Sequence, residues 1–194
     1  MILGSSPGFS GTVDAVSTAT GAVSLSGGGN VSTASGDAVD LNGLGGTPTS
    51  PATLSVSLTG SIRGADNGIS VIQNGYGAIA IVTNGAVAGQ AGAGIFAEDL
   101  NAADTNNISV TADGNVSGTT NGVYALTDGS GSVTVTVGAN VSVIGSGTAI
   151  QVGSNGVGNL SVTTATGDMR PEPIRRPGRA RTRQECRTRS LRTS

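Results

Sequence analysis

Six times along this chain a single aliphatic residue sits between two flanking residues that are, in five of the six, Ser or Thr. The segments are Ser24-Leu25-Ser26, Ser55-Val56-Ser57, Ala80-Ile81-Val82, Ser109-Val110-Thr111, Thr134-Val135-Thr136 and Ser161-Val162-Thr163. Successive central residues lie 31, 25, 29, 25 and 27 positions apart. A second aliphatic anchor follows a turn residue (Val31, Ile62, Val87, Val116, Val141), and a third follows another turn (Val39, Ile69, Ile95, Val123, Ile150). The unit is clearest over Asn107–Gly131, NISVTADGNVSGTTNGVYALTDGSG. A repeat with a period in this range marks a solenoid or an array.

The apolar positions alternate with period two, and Gly and β-branched residues are frequent, so the units are strands rather than helices. Three short strands per unit describe one coil of a parallel β-helix. Stacked coils would bring Leu25, Val56, Ile81, Val110, Val135 and Val162 into one column. A lone coil buries too few aliphatic side chains to offset the ordering of its backbone, whereas several stacked coils share their interfaces. The expected fold is all-β: a right-handed parallel β-helix of about six coils with near-27-residue repeats, over about residues 12–168. A weak unit at Thr12–Ser17 precedes the first clear one, and residues 1–21 are otherwise loosely patterned. The Asn-Gly pairs at Asn42, Asn67, Asn74, Asn84, Asn121 and Asn155 supply left-handed turn positions, and most of them are expected at coil corners. Read as hairpin turns instead, they would give an antiparallel β-sandwich, the alternative fold. Length varies mainly after the third strand, at Gly43–Ala52 and Glu98–Asn106, where a solenoid tolerates insertions and uses them for binding.

Composition fits a slim solenoid. Glycine accounts for 33 of 194 residues, aromatics for 2% and charged residues for 11%, so any core must be thin and aliphatic. The charge is split. Through Met169 a single base, Arg63, faces ten acids, a net of −9; from Arg170 onward nine Arg oppose two Glu, a net of +7. The last repeat begins normally at Asn159 and breaks off near Asp168. Two segments are therefore expected: a repeat domain over 1–168 and a disordered Arg-rich tail over 169–194. A tail of Arg, Pro, Thr and Ser without Lys resembles out-of-frame translation of GC-rich coding sequence. The lone cysteine, Cys186, lies in that tail, so the repeats hold no disulfide framework. The N-terminal MILGSSPGFSG has no secretory-signal pattern, and no transmembrane segment is expected, since no run approaches about 18 apolar residues.

Candidate chemistry is sparse, and no catalytic, cofactor or metal residue is predicted. The chain has no His, which removes a Ser-His-Asp triad and His-ligated metals. Glu98-Asp99 is the only adjacent acid pair of the repeats, and neighbours in an extended segment point to opposite faces. Gly27–Asn30 and Gly36-Asp37 lack the regular Asp spacing of glycine-rich calcium turns. Gly75–Ala80 fits a GxGxxA pattern with no helix to follow it. The Asn-x-Ser matches at Asn30, Asn107, Asn115, Asn140 and Asn159 follow from the repeat and are read as structural. The hydroxyls flanking the first anchors would form two outward columns, a surface suited to glycans or ice through ordered water. The Arg-rich tail has no aromatic residue for stacking on bases, and no nucleic-acid partner is expected.

Units such as Gly114–Leu126 (GNVSGTTNGVYAL) and Gly85–Glu98 (GAVAGQAGAGIFAE) resemble the repeat-rich passenger regions of bacterial autotransporters, over roughly Thr12 to Asp168. The resemblance implies surface display in Gram-negative bacteria, with the parent protein anchored by an outer-membrane β-barrel. The chain looks like a truncated piece of a longer passenger. The expected function is non-enzymatic: a structural or adhesive segment at the cell surface, with host or environmental glycans or proteins as partners. A glycan- or ice-binding β-solenoid is the second reading and a polysaccharide-cleaving β-helix the third.

Overall fold

In the computed structural model residues 1–3, 8–165 and 168–171 are described, and among them there is no helix. The strands fall into successive coils. The first holds β1 (Ile2–Leu3), β2 (Phe9–Ser10) and β3 (Val13–Ser17); the second β4 (Val23–Gly27), β5 (Val31–Ser32) and β6 (Val39–Gly43). The third holds β7 (Leu54–Leu58), β8 (Ile62–Gly64) and β9 (Ile69–Gln73); the fourth β10 (Ile79–Thr83), β11 (Val87–Gly89) and β12 (Ile95–Asp99). The fifth holds β13 (Ile108–Ala112), β14 (Val116–Gly118) and β15 (Asn121–Thr127); the sixth β16 (Val133–Val137), β17 (Ser142–Gly145) and β18 (Thr148–Ser154). β19 (Leu160–Thr164) and β20 (Asp168–Pro171) follow.

Every third strand belongs to the same sheet. One sheet runs β1-β4-β7-β10-β13-β16-β19, the second β2-β5-β8-β11-β14-β17-β20, and the third β3-β6-β9-β12-β15-β18. All pairings between these strands are parallel. This is a parallel β-solenoid of about six turns, and the antiparallel sandwich is ruled out. Among the described residues no helix is long and apolar enough to cross a membrane.

The first anchors form the expected column: Leu25 pairs with Val56, Val56 with Ile81, Ile81 with Val110, Val110 with Val135 and Val135 with Val162. From Leu25 to Val135 each is at most 1% exposed, while Val162 in the last strand of that sheet is 42% exposed. The third anchors align as well and extend back to Val13. The loosely patterned N-terminus thus forms a coil of its own, with two-residue strands too short to show a period.

Three expectations change. The second anchor of the sixth coil is Val143, which pairs with Val116, and not Val141. In the preceding coils six residues separate first and second anchors, but here the corner is two residues longer and turns at Asn140, φ 59°. The Asn-Gly pairs do not supply positive-φ backbone; among the described residues it falls at Gly11 (φ 123°), Gly27 (φ 149°), Gly36 (φ 68°), Gly46 (φ 88°) and Asn140. Asn42 lies inside β6 rather than at a corner, and Asn121 is the first residue of β15, just after the corner that follows β14. Glycine is needed after Asn74 and Asn84 because coils touch there: a β-carbon on Gly75 or Gly85 would overlap the carbonyl oxygen of Gly45 or Gly60 below. Finally, β20 pairs Asp168–Pro171 with Ser142–Gly145, carrying the second sheet past the expected repeat boundary at 168. The rest of the expected tail, residues 172–194 with Cys186, lies outside the described residues.

Candidate functional site

Two surfaces and one interior column bear polar chemistry. On the first sheet the predicted hydroxyl columns exist in register. Ser24, Ser55, Ala80, Ser109, Thr134 and Ser161 form one; Ser26, Ser57, Val82, Thr111, Thr136 and Thr163 form the other. Parallel neighbours lie about 4.8 Å apart, so the face is a regular grid without a charged residue in either column. The fourth coil interrupts it with Ala80 and with Val82, which is 37% exposed.

The third sheet presents a different outer face, one that sequence reasoning missed. Asp14, Asp40, Ser70, Phe96, Tyr124 and Gln151 align in one column of this face, within which Ser70 is buried. Phe96 and Tyr124, two of only four aromatics in the chain, stack with centroids 4.8 Å apart and planes 4° from parallel. Each ring covers a face of the other, so the pair cements adjacent coils instead of offering a flat platform to a sugar. The signal was an aromatic one residue past the third anchor in two successive units. Glu98 stands beside the pair. Burial raises its carboxyl above the usual range, Asp128 raises it further, and a hydrogen bond from the Tyr124 hydroxyl opposes both. At the acidic end of this column burial, together with the charges of Asp37 and Asp14, raises Asp40, and a hydrogen bond from Asn42 opposes them.

The interior column lies four residues past each third anchor: Ser17, Gly43, Gln73, Asp99, Thr127 and Ser154. No member is aliphatic, because the third strand ends here and its turn needs partners. Gln73, wholly buried, donates from Nε2 to the Ala52 carbonyl at 2.9 Å and accepts the Gly75 amide at 3.1 Å. Asp99, 1% exposed, accepts the Asn101 amide at 3.0 Å and the Thr127 hydroxyl at 2.9 Å, and Thr127 accepts the Gly129 amide at 3.0 Å. Burial is the largest influence on Asp99 and drives its carboxyl up to about 6; the two hydrogen bonds oppose it, and Asp104 and Asp128 reinforce it.

These positions decide several sequence-based readings. Glu98 faces outward and Asp99 inward, so the adjacent pair cannot address one substrate together. The two insertions differ. Gly43–Ala52 projects, with Leu44 57% exposed and a small antiparallel bridge between Thr47 and Ser50. Glu98–Asn106 instead folds back: Asp104 is fully buried, accepting the Gly77 amide at 2.9 Å and the Asn106 amide at 3.0 Å. Three of the Asn-x-Ser asparagines hold neighbouring coils together, since Asn30, Asn107 and Asn115 accept the amides of Ser61, Ser132 and Ser142. Asp37, of the faint calcium motif, accepts both the amide and the side-chain nitrogen of Asn67. Among the described residues no group of three or more His, Cys, Asp or Glu could hold a metal ion.

Fold and surfaces together define a class, the parallel β-solenoids with a hydroxyl-bearing face. No family model, no curated protein and no solved structure matches the chain.

Proposed function

We propose that this solenoid is a non-enzymatic structural and adhesive segment of a surface-displayed passenger of the autotransporter type. The observation that carries the reading is the unbroken first-anchor column, which makes a stiff rod of near-equal coils. Seven strands at about 4.8 Å spacing give the first sheet a height of about 29 Å. The rod holds one laterally projecting loop, 43–52, and a repetitive uncharged face, both suited to multivalent contact at a surface. The test is display: the chain is fused between an export signal and an outer-membrane β-barrel and probed on intact cells. Surface exposure with retention on glycan or host-protein arrays supports the reading. A passenger that reaches the surface and is retained by neither overturns the adhesive part; one that never reaches it overturns the display part.

One observation favours a second reading, a glycan- or ice-binding solenoid: the hydroxyl columns fall in register across the first sheet. Inhibition of ice recrystallisation by the isolated chain would favour it over adhesion.

A further inference from the structure

Six Asn-Gly pairs lie in the described residues, and the structure treats them unequally. Deamidation at such a pair requires the amide nitrogen of the glycine to reach the side-chain Cγ of the asparagine. Glycine helps because it has no β-carbon to hinder the approach, and hydrogen bonds that hold either group oppose it. Asn42-Gly43 ends β6 and is paired on both sides, while Asn121-Gly122 opens β15, where Asn121 pairs with Thr148, its carbonyl accepts the Gly94 amide at 3.0 Å and its Nδ2 donates to Gln151 at 3.0 Å. Asn67 is held at both ends of its side chain, donating to Asp37 at 3.0 Å and accepting the Ala93 amide at 2.7 Å, while the Gly68 amide donates to Ala93 at 3.1 Å. At Asn74 the side chain is exposed, but the Gly75 amide is engaged by the Gly43 carbonyl and by Gln73 Oε1. Asn155 is exposed, yet its Nδ2 donates to Asp128 at 2.6 Å.

Asn84 differs from all five. It is exposed, and among the described residues neither its side chain nor the Gly85 amide has a hydrogen-bond partner; only its own amide is tied, to the Leu58 carbonyl at 2.9 Å. From this contrast we propose that Asn84-Gly85, at the corner between β10 and β11, is the principal site of spontaneous deamidation in the chain.

The step needs water alone. Hydroxide removes the Gly85 amide proton, and the nitrogen attacks Asn84 Cγ. The bond from Cγ to Nδ2 breaks and, with a proton from water, ammonia leaves. The resulting succinimide is opened by water at either carbonyl, giving aspartate or isoaspartate. Asparagine and water are consumed, and acid and ammonia are formed. The product adds a negative charge to an acidic body. In the isoaspartate form it also adds a methylene to the main chain where Gly85 already lies against the Gly60 carbonyl.

The test ages the full chain at mildly alkaline pH in ¹⁸O-water and maps label by peptide mass spectrometry, beside Asn84→Gln and Asn155→Gln variants. The expected result is that label enters first at residue 84, that Asn84→Gln removes most of the early ammonia release, and that Asn155→Gln removes little. Label entering first at Asn155, Asn74 or any other asparagine overturns the assignment, as does early ammonia release unchanged by Asn84→Gln.

Discussion

Asn in place of Asp99 is expected to make the solenoid more stable at neutral pH and to flatten its response to acid. In the folded chain Asp99 titrates near about 6, against an ordinary value of 3.8, because burial disfavours its charged form. The folded state therefore binds more protons than the unfolded state between these values. Its contribution is fully favourable below pH 3.8 and is lost as pH rises through about 6. The difference amounts to about 3 kcal/mol at pH 7, an upper figure for one carboxyl. Asp99→Asn keeps an oxygen for the Asn101 amide, and its amide nitrogen donates to the Thr127 hydroxyl oxygen, reversing that bond while keeping the two side chains joined. Urea unfolding followed by circular dichroism at several values between about pH 4 and 8 measures the effect. The parent chain should lose stability as pH rises through the window, and the variant should gain most at pH 7 and least at pH 4. Asp40 and Glu98, also raised by burial, leave the variant a shallower slope of the same sign. A parent whose stability rises from pH 4 to 7, or a variant with an unchanged slope, would refute the reasoning.

Other outcomes follow from packing and from the outer faces. Ile81→Ala removes a wholly buried side chain between Val56 and Val110, and should cost about 2–5 kcal/mol in the same unfolding assay. Gly75→Ala places a methyl group against the Gly45 carbonyl, and should lower the melting temperature even though alanine is otherwise the better-ordered residue. Thr127→Val strips Asp99 of a donor and the Gly129 amide of its acceptor, a loss of about 1–3 kcal/mol for each buried group left unpaired, with a steeper pH slope than the parent. Val82→Thr fills a gap in the hydroxyl columns. Stability should stay within about 0.5 kcal/mol, and stronger ice or glycan binding would separate the second functional reading from the first.

The first and third anchor columns were legible because each anchor is an aliphatic residue in a strand of period two, where one face must be buried. Val143 was not, because an extra turn around Asn140 shifts the strand while leaving Val141 buried and equally plausible as an anchor. The interior polar column escaped because Gln73, Asp99 and Thr127 look like turn residues when taken singly. Their common spacing of four from the third anchor was the available signal. Asp104 and the Glu98–Asn106 segment show the same limit: acids in a variable-length stretch suggest an exposed loop, yet backbone amides, one from Gly77 and one from the segment's own Asn106, can draw a carboxylate inside. The Phe96–Tyr124 stack depended on register, which single-residue reading does not give.

Coils with matching anchors invite gain and loss of whole units, since slippage between similar stretches of coding sequence leaves the aliphatic columns aligned. The column through Gly43, Gln73, Asp99 and Thr127 makes neighbours non-interchangeable. Gln73 fits because Gly43 below it has no side chain, where a β-carbon would meet the Gln73 amide, and Asp99 is satisfied in part by the threonine above. Excising the coil that carries Asp99 would seat Thr127 directly over Gln73, with no carboxylate to receive its hydroxyl. The interior thus gives each coil an address, and a lineage that varies the length of this rod is constrained at the joints its polar residues leave neutral.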